Sequence, residues 1–261
     1  VTPRLLLLGG LDPSGGAGIT ADATVAALHL VEPLPIAVAF TEQNSRGFRR
    51  CHAVPFERWA GALRAVLDDG PVHAVKVGLL ADAVTVRSVA RELGALRGRA
   101  AIVVDPVLSS TAGGWRNSDD VAAAYRELLV PLASVLTPNT LELATLCAGD
   151  AKRALAAGAG ALLHKGGHAN GAACEDVLWQ GGERIVFRRD RLACGPVRGT
   201  GCALASAIAA RLAHGAPLAE ACRKAGDWLA ALLRALGPAA PDGLPRLLPF
   251  ARVVPVVADA R

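Results

Sequence analysis

The residues able to do chemistry in this chain fall at the ends of short apolar runs. The sharpest group is Arg198-Gly199-Thr200-Gly201-Cys202-Ala203, which leads into an Ala-rich stretch reaching about Arg211. Glycines let successive backbone N–H groups turn inward, and the positive end of a following helix adds to them, so the segment predicts an anion pocket. Cys202, in the first turn of that helix, is expected to have a depressed pKa and to serve as a base or nucleophile. The plainer alternative is an inert buried thiol beside a glycine turn. Asp105 precedes Pro106 and is either a turn former or a carboxylate at a strand end. Asn139 and Glu142 stand three apart after Pro138: oxygen ligands for a hydrated magnesium ion, or a capping pair at a helix start. Lys165, before two glycines, can meet a phosphate as a point charge. His168 reads as decoration of the same loop.

A second glycine-rich stretch runs from Gly9 to Gly18. Gly16-Ala17-Gly18-Ile19-Thr20-Ala21 formally fits the dinucleotide fingerprint, but it lies beyond Asp12-Pro13 instead of in a tight strand-to-helix turn. GxxxxGK[ST] is absent, which excludes a P-loop. The other reading is a loop whose backbone approaches a small substrate closely.

These groups need a frame that brings strand ends together. Near-continuous apolar runs at residues 5–8, 36–40, 74–77, 101–104, 135–136 and 161–164 predict buried parallel strands. Longer amphipathic stretches between them predict a βαβ succession. In residues 82–96, Val86, Val89, Leu93 and Leu96 recur at helical spacing, with Asp82 as N-cap. Ser118 is expected to cap a second helix with Val121, Leu128 and Leu129 facing inward. Pro217 and Gly237 bracket a third. Residues 176–179 and 184–187, joined through Gly181-Gly182, predict an antiparallel hairpin at one sheet edge. In an open parallel sheet ligands bind beyond the carboxyl ends of the strands, so the motifs above share one rim.

Taken together, Asp12-Pro13-Ser14-Gly15-Gly16-Ala17-Gly18 with Ala21-Asp22, Gln43-Asn44, Lys76-Val77-Gly78, Val104-Asp105-Pro106, Thr137-Pro138-Asn139, Lys165-Gly166-Gly167-His168 and Gly199-Thr200-Gly201-Cys202 resemble the hydroxymethylpyrimidine and phosphomethylpyrimidine kinases in content and order. The resemblance implies a ribokinase-like three-layer αβα sandwich, a mostly parallel sheet with an antiparallel edge hairpin, and ATP and magnesium as co-reactants. It further implies two successive phosphoryl transfers, giving a pyrimidine diphosphate for thiamine synthesis. By the same resemblance Cys202 is the catalytic base and Gly199, Thr200 and Gly201 form the anion hole. Asp105 and Glu142 handle magnesium, Lys165 and Asn139 the ATP phosphates, and Gly10, Asp22 and Gln43 the pyrimidine. The chain departs from the family pattern at Leu11, Thr20, Leu79 and Ala203, and in Cys194-Gly195-Pro196-Val197-Arg198, which lacks the usual Asn and His.

Three rival readings accompany this one. A pyridoxal or pyridoxine kinase shares the fold and a similar flat substrate. An NAD-dependent oxidoreductase rests on the fingerprint alone, with Glu42 as its acid. The third is a kinase-like binding module without turnover.

Composition bounds the rest. The 261 residues are 52% hydrophobic but 4% aromatic, so the core must be Ala, Val and Leu. A net charge of +5 suits phosphorylated ligands as well as plain solubility. There is no basic run with interleaved aromatics for nucleic acid. No apolar stretch is of membrane-spanning length, and the N-terminal apolar run is short for a signal peptide. Six scattered cysteines without metal-ligand spacing fit a reducing cytoplasm. One kinase domain is expected over residues 1–237. Residues 238–261, with prolines at 238, 241, 245, 249 and 255, form a tail on the same domain. A homodimer is expected.

Overall fold

In the computed structural model, residues 1–44, 46–109, 115–167, 171–240 and 242–250 are described; His168 lies outside them. Eight helices and eleven strands are described. They run β1 (Arg4–Leu11), α1 (Gly18–Leu28), β2 (Glu32–Asn44), β3 (Gly47–Ala53), α2 (Phe56–Asp68), β4 (Ala74–Val77), α3 (Ala83–Gly94), β5 (Ala101–Val104) and α4 (Asp119–Ala124). Then come β6 (Val135–Leu136), α5 (Thr140–Cys147), α6 (Ala151–Ala156), β7 (Ala161–His164), β8 (Ala173–Gln180), β9 (Glu183–Asp190), β10 (Val197–Arg198), α7 (Thr200–Ala213), α8 (Leu218–Leu236) and β11 (Arg246–Leu247).

Nine strands form one sheet in the order β3-β2-β1-β4-β5-β6-β7-β8-β9. Pairing from β2 through β7 is parallel, and β3, β8 and β9 are antiparallel additions at the two edges. Strand β1 explains the layering. Leu5, Leu6, Leu7 and Leu8 are all fully buried, and because side chains alternate, each face needs its own cover. Leu6 and Leu8 join the core under α2 to α6, while Leu5 and Leu7 join the core under α1, α7 and α8. The result is the three-layer αβα sandwich that the family resemblance implies.

Local chemistry sets several boundaries. Asp82 caps α3 by accepting from Thr85 N at 2.7 Å. Gly237 ends α8 with φ +70°, a conformation that favours glycine. After α4 the chain continues through a π-helical turn, Tyr125–Leu129, and this corrects one expectation. The wider turn rotates the helix face, so Val121, Tyr125 and Leu129 are buried while Leu128 is 36% exposed. The Tyr125 hydroxyl donates to Gly78 O, 2.9 Å away at the end of β4.

The strand β3 was not expected from the sequence. It lies at the open sheet edge, where Arg49, Arg50 and His52 interrupt any apolar run. Strands β10 and β11 form a separate two-stranded parallel pair, which joins the segment before α7 to the C-terminal stretch.

Candidate functional site

Parallel strands place their carboxyl ends on one rim, and the polar residues collect there. Asp105 follows β5, Thr137 follows β6 and Lys165 follows β7. Lys165 N donates to Pro138 O at 2.9 Å, extending the ladder far enough to hold Lys165 beside Asn139. Its ammonium lies 2.6 Å from Asp105 Oδ1 and 3.9 Å from Glu142 Oε2. Thr137 Oγ1 donates to the same Asp105 oxygen at 3.3 Å. Asn139 and Glu142 do form a capping box at the start of α5. Asn139 N donates to Glu142 Oε2 at 2.8 Å, and Glu142 N donates to Asn139 Oδ1 at 2.9 Å.

One ammonium thus serves two buried carboxylates. Burial works against the charge of Asp105, but Lys165 and then Lys76 outweigh it and hold the carboxyl below its usual range. Glu142 gains less: burial pushes it up to about 7, against the pull of Lys165 and with a further push from Asp105. The cluster thus sets two carboxylates against one directly paired ammonium. Among the described residues no group of three or more acidic, His or Cys side chains gathers into a metal cage. Oxygen-only donors in this number suit Mg²⁺, which is held by one or two carboxylates and completed by waters and phosphate oxygens. Asp105 and Glu142 fit such an ion.

A second buried lysine lies nearby. Lys76, in β4, is 0% exposed, and its ammonium donates to Asp22 Oδ2 at 2.7 Å. Ser206 Oγ donates to Asp22 Oδ1 at 2.7 Å, so the acid of α1 ties β4 to α7. Burial disfavours the Lys76 charge, but Asp22 more than restores it and raises the ammonium above its ordinary value. Asp22 was expected to hold a ring. It is 1% exposed, with one oxygen on Lys76 and the other on Ser206. Lys76 and Ser206 were assigned no role from sequence. A lysine inside an otherwise apolar four-residue strand, Ala74-Val75-Lys76-Val77, was the available signal, since a buried lysine demands a partner.

The predicted glycine turn leads directly into a helix. Gly199 is the N-cap of α7 at φ +80°, no side chain caps the helix, and its Cα side lies against Gly16 O of the first glycine loop. The first N–H groups of α7 are left for a ligand. A Cβ on Gly201 would come 3.3 Å from Lys165 Nζ, so the loop and the Asp105–Lys165–Glu142 cluster adjoin. Cys202 sits between the two lysines, and the expectation of a depressed pKa is corrected. Burial pushes its thiol up to about 11; Lys76 and Lys165 pull it down, Asp105 and Asp22 push it up. The helix start does not offset partial burial with two acids nearby.

At the opposite end of the rim, Gly10 lies beside a bulge in the β1–β2 pairing. A Cβ on it would meet Leu79 Cδ2 at 3.1 Å and Thr41 Cγ2 at 3.4 Å. Gln43, near the end of β2, donates from Nε2 to Thr41 Oγ1 at 3.0 Å, and its Oε1 accepts from Arg198 Nη2 at 2.6 Å. Arg198 also donates to Asn44 O. The dinucleotide reading finds no support: seven-residue spacing separates Leu11 at the end of β1 from Gly18 at the start of α1. Its acid, Glu42, pairs with His52 at 2.7 Å on the exposed edge. All six cysteines are free, and no helix among the described residues is long and apolar enough to cross a membrane.

Comparison with known proteins points the same way. Residues 12–241 match the family described as phosphomethylpyrimidine kinase. The hydroxymethylpyrimidine/phosphomethylpyrimidine kinase of Rhizobium meliloti is 37% identical over 246 residues, covering 90% of this chain and 92% of the relative. That of Mycobacterium tuberculosis is 37% identical over 248 residues, 90% of either chain. Among solved structures, the Clostridium difficile phosphomethylpyrimidine kinase superposes with a TM-score of 0.76 at 26% identity, covering 88% of this chain and 99% of that one. Bacillus subtilis pyridoxal kinase, solved with ADP, gives 0.81 at 27% identity over 89% and 92% of the two chains. With the match running from the first glycine loop past the last helix, and with the buried lysines and the anion loop at one rim, this chain belongs to the phosphomethylpyrimidine kinase family.

Proposed function

We propose that the protein transfers the γ-phosphoryl group of ATP to the hydroxymethyl group of hydroxymethylpyrimidine, then phosphorylates that monophosphate to the diphosphate. The product would serve thiamine synthesis in the cytoplasm. The observation that carries this reading is the junction of the uncapped start of α7 with the cluster in which Lys165 stands 2.6 Å from Asp105 and 3.9 Å from Glu142. Phosphoryl transfer asks mainly for positioning and for neutralising charge on the transferred group. The N–H groups of Thr200, Gly201 and Cys202 face that charge, and Lys165 with Asn139 orients the donor's phosphates. Asp105 and Glu142 would hold Mg²⁺, which when bound shields the phosphate oxygens.

Cys202 is the proposed base. With its thiol pushed up to about 11, it is protonated at neutral pH and must first lose that proton. A loose transition state releases the substrate proton late and demands little of its base. Gly10 leaves room for a flat ring, and Gln43 reads the ring's edge. Asp22 works from behind by fixing Lys76. We assign one kinase domain to residues 1–237, with the C-terminal segment fastened to it through β11, and a homodimer in solution.

The test is coupled ATP consumption with Mg²⁺ on hydroxymethylpyrimidine, its monophosphate and pyridoxal at matched concentrations. Turnover on both pyrimidines with diphosphate formed is the expected result. Preference for pyridoxal would move the substrate and keep the chemistry. ATP turnover with none of the three would overturn the assignment.

A further inference from the structure

One side chain links the start of the anion loop to the end of β2. Arg198 immediately precedes the anion-loop Gly199, yet its guanidinium reaches the end of β2, on the far side of β1. It is 7% exposed. Nη2 donates to Gln43 Oε1 at 2.6 Å, and Nη1 donates to the Asn44 carbonyl. Its backbone is fixed as well: Arg198 pairs with Leu247 in the β10–β11 ladder, and Arg246 N donates to Pro196 O at 3.0 Å. A buried, doubly bonded arginine on a braced strand is held in one place.

The hydrogen bonds around Gln43 have a direction. Arginine only donates, so the atom facing Arg198 must be the amide oxygen. Thr41 Oγ1 donates its own hydrogen to Leu11 O at 2.8 Å, so toward Gln43 it can only accept. The atom facing Thr41 must therefore be the amide nitrogen, which lies 3.0 Å from Thr41 Oγ1. A glutamine amide with neutral partners could flip and exchange its donor and acceptor. This one is locked from both ends. Each lock uses only part of the amide's capacity, because Oε1 has two lone pairs and Nε2 two hydrogens. One acceptor and one donor position remain for a ligand in a fixed order.

We infer that Arg198 is the specificity-determining residue of the substrate pocket, acting through Gln43 by fixing which end of its amide is donor and which acceptor. This rests on the reading above in which Gln43 faces the substrate ring. The matching ligand is a heterocycle with an amino donor beside a ring-nitrogen acceptor, the edge of an aminopyrimidine. A ring without that adjacent pair gains nothing from the lock. Selectivity of this kind arises because a wrongly presented edge leaves buried polar groups unpaired.

The test is steady-state kinetics on hydroxymethylpyrimidine and pyridoxal for the wild type, Arg198→Met, Gln43→Met, the double variant and Arg198→Lys. For Arg198→Met, KM for the pyrimidine should rise about tenfold, as for one lost oriented hydrogen bond, while kcat moves less than about threefold. The pyrimidine-to-pyridoxal ratio of kcat/KM should fall by a similar factor. The double variant should be no worse than Gln43→Met alone, since both substitutions remove one interaction. Arg198→Lys, also a pure donor, should recover part of the loss even if Arg198→Met folds poorly. Losses that add in the double variant, or that fall equally on both substrates, would overturn the role of Arg198 and leave Gln43 in place. An unchanged pyrimidine KM in Gln43→Met would instead overturn the reading of Gln43 itself.

Discussion

Two buried lysines stand on one sheet, Lys76 within β4 and Lys165 just after β7, and they differ in how many carboxylates they pair with. Lys76 has one carboxylate, Asp22, at 2.7 Å, and the Ser206 hydroxyl completes that acid. Lys165 has two carboxylates, Asp105 at 2.6 Å and Glu142 at 3.9 Å. The first site is balanced and joins β4, α1 and α7. The second sets two carboxylates against one ammonium, and Glu142, the more distant of them, is pushed up to about 7, first by burial. A balanced pair holds parts together, while an unbalanced cluster has affinity to spare for a cation. On the proposed function, that difference assigns Lys76 to the scaffold and Lys165 to the metal and phosphate end.

Cys202 lies between the two lysines, so it offers the largest effect by which the comparison can be sharpened. Cys202→Ala should lower kcat by roughly 10²-fold or more, the low end for a general base, with substrate KM little changed. With the wild-type thiol pushed up to about 11, turnover should climb with pH through the alkaline range as thiolate forms. The Ala variant should lose that limb. A limb retained in Cys202→Ala would remove the thiol from the reaction.

The balanced pair should fail differently. Lys76→Met leaves Asp22 buried without its counter-charge, which should cost about 3–5 kcal/mol of stability. Adding Asp22→Asn removes the second charge and should recover most of that loss in a urea titration. Equal midpoints for the single and double variants would mean that the pair contributes no coupling.

Much of this arrangement could be read from the chain, for identifiable reasons. Strands β4 to β7 are covered on both faces, so apart from Lys76 and the terminal His164 they are apolar throughout and could be read from hydrophobicity. The caps at Asp82 and Gly237 are local features and were legible for that reason. What escaped was set by distance in sequence. Lys76 meets Asp22 across 54 positions, and Arg198 meets Gln43 across 155. Neither partner announces itself by spacing. Strand β3 was hidden by its arginines, which an edge strand tolerates, and β10 and β11 are two residues each. The pKa of Cys202 escaped because helix position is local, whereas the burial and the acids that raise it, Asp22 of α1 and Asp105 after β5, come from elsewhere in the chain. Asn139 and Glu142 left two readings open, and the capping box now accounts for their spacing. The same Glu142 still faces Lys165, so the cap also positions the acid.

The difference between the two clusters is tested most directly by the magnesium dependence of turnover at saturating ATP in Glu142→Gln and Asp22→Asn. Glutamine can keep the α5 cap while removing the charge. Glu142→Gln should raise the Mg²⁺ concentration for half-maximal rate by about tenfold, as for one lost carboxylate interaction, while Asp22→Asn should leave it unchanged. The same Mg²⁺ requirement in Glu142→Gln and wild type, or an equal shift in Asp22→Asn, would contradict the assignment of the unbalanced cluster as the metal and phosphate end of the site.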